Sequence, residues 1–155
     1  MREALELKVP PVVVWLVAAA GVWAVDRLLP AVSVAFPAQR WVALAVAIAG
    51  AAIAVRGVLV FRRHGTTVHP NRPERASTVV TGDVFSVTRN PMYLGLCLAL
   101  LAWAIGVGSP LGALLFLPAF VIYLTEFQIK PEERALEANF GAEYESYLET
   151  VRRWL

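Results

Sequence analysis

Sulfur and imidazole are scarce in this 155-residue chain, which has one cysteine, two histidines and two methionines. Cys97 stands alone inside an apolar run, which excludes a disulfide framework and a cysteine zinc site. His64 and His69 are too few for a metal centre, and no metal is expected. Charge is also scarce. Charged residues make up 17% of the chain, against about a quarter in soluble domains. The net charge of +2 is too small to imply a nucleic-acid partner. What the chain has in abundance is apolar surface: 58% of it is hydrophobic, and its mean hydropathy is +0.60. This balance predicts a single all-α domain integral to a membrane. The first apolar segment lacks the flanks of a cleaved signal and is expected to be retained. Neither end carries a lipidation motif.

A membrane-crossing helix needs roughly 20 mostly apolar residues. Four stretches answer to that: Pro10 to Leu29, Trp41 to Phe61 with Arg56 inside it, Met92 to Val107, and Leu111 to Ile129 with Pro118 inside it. Gly108, Ser109 and Pro110 separate the last two, which predicts a tight helical hairpin. Arginine and lysine placement sets the orientation. Arg62, Arg63, Arg72, Arg75 and Arg89 lie between the second and third stretches, and Lys130, Arg134, Arg152 and Arg153 follow the fourth. The turn between the third and fourth carries none. Both termini and the long middle segment are therefore expected on the cytoplasmic side of a bacterial or archaeal inner membrane. Residues 1–61 read as two supporting spans, 62–91 as a cytoplasmic loop, 92–129 as the hairpin and 130–155 as a cytoplasmic tail.

In the tail, Pro131 suits the first turn of a helix, and Glu132 and Glu133 suit the positive end of its dipole. Gly141 is expected to end or kink that helix. Leu136, Phe140, Tyr144, Tyr147, Leu148 and Val151 then recur at spacings of three and four, an amphipathic stripe that would lie on the membrane or pack over the core. Tyr144, Tyr147 and Trp154 are expected to dock the tail. Arg152 and Arg153 suit anionic headgroups of membrane lipids, and Arg56 reads as a snorkelling side chain. The indoles of Trp15, Trp23, Trp41 and Trp103 suit interfaces or packing.

Two clusters carry the chemically useful residues. Arg89-Asn90-Pro91-Met92-Tyr93-Leu94-Gly95 opens the third span. Pro91 keeps Asn90 out of the helix and begins the helix behind it, which leaves backbone donors facing outward as an anion site. Gly95 admits a ligand or a neighbouring helix at close range. The second cluster, Lys130-Pro131-Glu132-Glu133-Arg134, sits at a membrane boundary, where charges facing a bundle tend to be functional. Helical spacing puts Glu126, Lys130 and Glu133 on one face.

RNPMYLG at 89–95, followed by KPEERALEANFGAEYESYLETVRRWL at 130–155, resembles the isoprenylcysteine carboxyl methyltransferase and phospholipid methyltransferase superfamily. The similarity covers roughly residues 60 to 155 and has the character of a short bacterial member. It implies S-adenosylmethionine as methyl donor, held by the last two spans and the tail. Residue by residue, Arg89, Asn90, Pro91, Tyr93, Leu94 and Gly95 correspond to the arginine–histidine–proline motif and its extension, and Glu132 and Glu133 to the double-glutamate motif. Asn90 stands where many members carry histidine, so a backbone contribution survives there but an imidazole base does not. The resemblance thus makes Arg89, Glu132 and Glu133 the catalytic candidates, and these with Asn90, Pro91, Tyr93, Leu94 and Gly95 the cofactor-binding ones.

Methyl transfer from a sulfonium is an in-line displacement, and alignment alone can contribute roughly 7–11 kcal/mol. An anionic acceptor needs no base, whereas an ammonium or hydroxyl does. Glu133, Glu126, His64 and His69 are the base candidates. The acceptor implied is small or lipophilic, a prenylcysteine-like carboxylate or a lipid. Two other functions fit the composition: a membrane reductase of the sterol-reductase type with a nicotinamide cofactor, and a non-enzymatic membrane scaffold. The Ala-rich second span permits close helix contact within or between chains, which leaves the oligomeric state open.

Overall fold

The computed structural model describes residues 6–65 and 78–155. Their regular structure is helical throughout: α1 (Pro11–Leu28), α2 (Gln39–Arg63), α3 (Pro91–Val107), α4 (Pro110–Leu124), α5 (Lys130–Phe140) and α6 (Ala142–Thr150), with short 3₁₀ turns at Pro30–Val32 and Asp83–Ser86. His69, Arg72 and Arg75 lie outside the described residues.

Three helical stretches are long and apolar enough to cross a membrane: Pro11–Leu28, Gln39–Arg63 and the continuous Pro110–Phe140. The fourth, α3, has 17 residues and therefore rises only about 25 Å. Its position explains why it can be short. It packs against α1, α2 and α4 and buries Pro91, Tyr93, Gly95, Cys97, Leu100, Ala102 and Ala104. A helix wrapped by its neighbours need not present a full bilayer's depth of side chains to lipid. The outer helices do the opposite and turn Leu16, Val17, Ile48, Leu114 and Ile122 outward, each more than half exposed. Such an apolar belt is stable only in lipid. The protein is an all-α membrane protein.

Small residues set the closest crossing. A Cβ at Gly95 would stand 2.6 Å from the carbonyl oxygen of Gly50 and 2.7 Å from Ala54 Cβ, so α2 and α3 touch backbone to backbone. Of the two partners that Gly95 admits, the neighbouring helix fills the space. Two indoles tie α1 to α3: Trp15 Nε1 donates to the Leu96 carbonyl at 3.1 Å and Trp103 Nε1 to the Ala19 carbonyl at 3.0 Å.

The last span does not stop where its apolar run ends. Helix continues from Pro110 to Phe140 through a π-turn at Thr125–Ile129, in which the Lys130 amide bonds back five residues to the Thr125 carbonyl. Pro131 stands in the first turn of α5, as its place in the sequence suggested, but α5 follows the π-turn without a break. Proline has no N–H for the carbonyl four residues earlier and crowds it. That carbonyl belongs to Phe127, and the Leu7 amide takes its place as donor at 3.0 Å. Gln128 Nε2 donates to the Val9 carbonyl beside it at 3.0 Å. The segment before α1 is thus bound to the irregular turn of the last span.

The amphipathic stripe of the tail packs inward. All six of its residues join Val60, Val79, Val80, Val84, Phe85 and Phe61 in a second apolar cluster. Phe61 stacks on Phe85 with ring centroids 4.7 Å apart, and Tyr147 donates its hydroxyl to the Phe85 carbonyl at 2.7 Å. Burial pushes the Tyr144 and Tyr147 phenols up from their ordinary pKa. Gly141, at φ +50°, makes the corner between α5 and α6.

Candidate functional site

Both motifs meet at the charged end of the bundle. Asn90 is the residue before α3, and the first helical bond there is Leu94 N–H to the Asn90 carbonyl at 2.9 Å. Pro91 is buried at the head of α3 against Gly57 of α2, and Tyr93 faces inward two residues on. The continued last span brings Glu132 and Glu133 to the same level. Tyr93 donates its hydroxyl to Glu132 Oε1. Arg89 Nη2 lies 3.2 Å from Glu133 Oε1.

A third arginine-bearing segment completes the cluster. Arg153 grips Glu133 with two parallel bonds, Nε to Oε1 at 3.0 Å and Nη2 to Oε2 at 2.6 Å. The Glu133 hydrogen bond holds the Arg153 guanidinium above its ordinary pKa. One carboxylate therefore serves two guanidiniums, with side-chain exposures of 11% for Arg89, 34% for Arg153 and 13% for Glu133. Arg89 Nε is buried without a hydrogen-bond partner among the described residues.

The chain after α6 is laced to the start of the first motif. The Arg89 amide donates to the Arg152 carbonyl at 3.1 Å, and Asn90 Nδ2 donates to the Arg153 carbonyl at 2.9 Å. Thr88, 1% exposed, donates to that same carbonyl at 3.4 Å and accepts from the Asn90 amide at 3.2 Å. Trp154 Nε1 then donates to Thr125 Oγ1 of the π-turn at 3.3 Å. Asn90 thus uses its side-chain amide to hold the segment that follows α6.

The sequence readings divide accordingly. Arg89, Asn90, Tyr93, Glu132 and Glu133 converge, and Pro91 and Leu94 form the first turn that carries them. Gly95 faces α2. Glu126 pairs with Lys130, while Glu133 is committed to the arginines, so helical spacing through the π-turn did not keep the three together. His64 caps its own helix, with Nδ1 2.9 Å from the Val60 carbonyl. Arg56 does not simply snorkel: it pairs in bidentate fashion with Asp83, Nε to Oδ1 at 2.5 Å and Nη2 to Oδ2 at 2.9 Å. That hydrogen bond holds the Asp83 carboxyl below its ordinary pKa. Sequence reasoning missed Arg153, taking it for a lipid contact, and missed Thr88. The signal for Arg153 was its place just after a stripe for which packing over the core was one of two open readings.

Chemically, paired carboxyls beside two guanidiniums can hold both charges of an amino-acid zwitterion. A model of the phospholipid methyltransferase family matches residues 38–143. The chain belongs to that family. The family is part of the isoprenylcysteine/phospholipid methyltransferase superfamily, and the matched stretch includes residues 89–95 and 130–134. The chain is also 48% identical over 64 residues to an uncharacterized protein of Haemophilus influenzae, covering 41% of this chain and all of the relative. No solved structure matches.

Proposed function

We propose that this protein is an S-adenosylmethionine-dependent membrane methyltransferase acting on a lipophilic acceptor, a lipid or a prenylcysteine-like carboxylate. The observation that carries the reading is the meeting of the two motifs, Tyr93 with Glu132 and Arg89 with Glu133, at one end of an apolar bundle. The site fits the donor by charge. Its amino-acid end bears an ammonium and a carboxylate, and the cluster offers paired acids, guanidiniums and the unpartnered Arg89 Nε. When bound, the donor supplies an electrophilic methyl group on a sulfonium.

The chain's own residues have three tasks. Glu132 and Glu133 hold the cationic end. Arg89 holds an anionic group of the donor or acceptor. Asn90, Pro91, Leu94 and Gly95 shape the helix start, and Tyr93 fixes the Glu132 carboxyl. The packed helices exclude water, which strengthens each of these attractions. The charged end faces the cytoplasm in this reading, by the bias of arginine and lysine.

Ligand-dependent stability tests the proposal. S-adenosylhomocysteine at a hundred times its Kd should stabilise the detergent-purified protein by about 2.7 kcal/mol, and NADPH should not. The reverse response would replace the reading with a reductase. A labelled-methyl assay across phospholipids, prenylcysteine analogues, thiols and amines then names the acceptor.

A further inference from the structure

The donor-binding reading leaves Arg153 unexplained, since it is not among the catalytic or cofactor-binding residues that the resemblance implies. We propose, on the basis of that reading, that Arg153 is a further binding residue of the site, whose guanidinium receives the carboxylate of the methyl donor's amino-acid end, with Glu133 holding its place until then.

Three observations carry this. The first is donor arithmetic. A guanidinium has five N–H groups and a carboxylate about four acceptor positions, so two guanidiniums on one carboxylate leave donors in surplus. The buried, unpartnered Arg89 Nε is part of that surplus. Glu132 is held by Tyr93 and pairs with neither arginine, so a further carboxylate is what these two guanidiniums lack.

The second is the difference between the two arginines. The Arg89 side chain is 11% exposed and that of Arg153 is 34% exposed, so Arg153 is the one with room to change partner. Its main chain is meanwhile held by the bonds of Arg89, Asn90 and Thr88 to the carbonyls of residues 152 and 153. The guanidinium can therefore swing about a fixed point beside the motif.

The third is charge balance. A zwitterion entering between Glu133 and Arg153 brings its ammonium to the carboxylate and its carboxylate to the guanidinium. Both ions exchange one opposite charge for another, and neither is left bare in a half-buried site, the situation that costs most. Bidentate recognition of a carboxylate is also what arginine does better than lysine.

The experiment measures binding of S-adenosylmethionine and of its decarboxylated form to the full-length protein in detergent, by titration calorimetry. The wild type should prefer the carboxylated ligand about tenfold to a hundredfold, the range of a charge-assisted hydrogen-bond pair. Arg153→Gln should lose that preference while binding the decarboxylated ligand within about twofold of wild type, and Arg153→Lys should keep part of it. A preference unchanged in Arg153→Gln, or equal losses for both ligands, overturns the proposal. Should Arg153→Gln not fold, Arg153→Lys decides alone, and an unchanged preference there overturns it. A wild type that binds neither ligand overturns the donor reading itself, and Arg153 with it.

Discussion

The Tyr93 hydroxyl donates to Glu132 across 39 positions of chain, joining the first turn of the central helix to the extension of the last span. Tyr93 is 7% exposed, so Tyr93→Phe leaves Glu132 short of a donor in a place water does not readily reach. The expected cost is about 1–3 kcal/mol, and denaturant titration in mild detergent reads it. Binding of S-adenosylhomocysteine should weaken in parallel.

Glu133 pairs with both Arg89 and Arg153. Glu133→Gln keeps the shape but leaves two guanidiniums without a counter-charge. After allowance for the exposure of Arg153, the loss should be about 1–3 kcal/mol. A double-mutant cycle with Arg153→Gln should return a coupling energy well above zero, whereas independent roles would give additive losses.

Gly95→Ala tests the helix crossing separately from the charges. The new methyl would meet the Gly50 carbonyl oxygen at 2.6 Å, and backbone cannot give way as a flexible side chain can. Overpacking of this kind costs about 1–3 kcal/mol. The thermal midpoint should fall, and Gly65→Ala, at an open and exposed position where the penalty is only that of a positive φ, should fall less.

The Arg56–Asp83 pair gives an acid-dependent contribution. Its folded-state pKa is depressed below the ordinary value of 3.8. The stabilisation is therefore complete above that value and is lost as pH falls through the folded pKa. The stability difference between wild type and Asp83→Asn should be constant from neutral pH down to about 5 and shrink below about 4.

Pro131→Ala restores an amide that can compete for the Phe127 carbonyl. The Leu7 amide, which now donates there at 3.0 Å, should exchange with deuterium faster in the variant. Unchanged exchange at Leu7 would show that proline is not what frees that carbonyl.

Several features were legible before any coordinates. Apolar runs separated by charge gave the helices to within a few residues, because a chain in lipid must satisfy its own backbone bonds. The stripe from Leu136 to Val151 announced a buried face, although the pattern does not say what covers it: here the Val79–Phe85 segment and the end of α2 do. The boundary at Lys130 is where α5 starts, but its continuity with the last span was not legible. Proline usually marks a helix start, but a π-turn and a donor from Leu7 let the helix run through it. No local pattern around Pro131 reveals a donor that comes from the other end of the chain.

The sequence by itself determined the apolar helical spans, the charged end and the two motifs, since these follow from hydropathy, charge placement and residue type along short stretches. Tertiary structure alone decided which motif residues touch. The rotation of α3 against the last span, shifted by the π-turn, selects Tyr93 for Glu132 and Arg89 for Glu133. The folding back of α6 delivers Arg153 to the same carboxylate. A rotation of one residue, roughly 100° about a helix axis, would separate these groups, and no local periodicity encodes how three distant segments are turned toward one another.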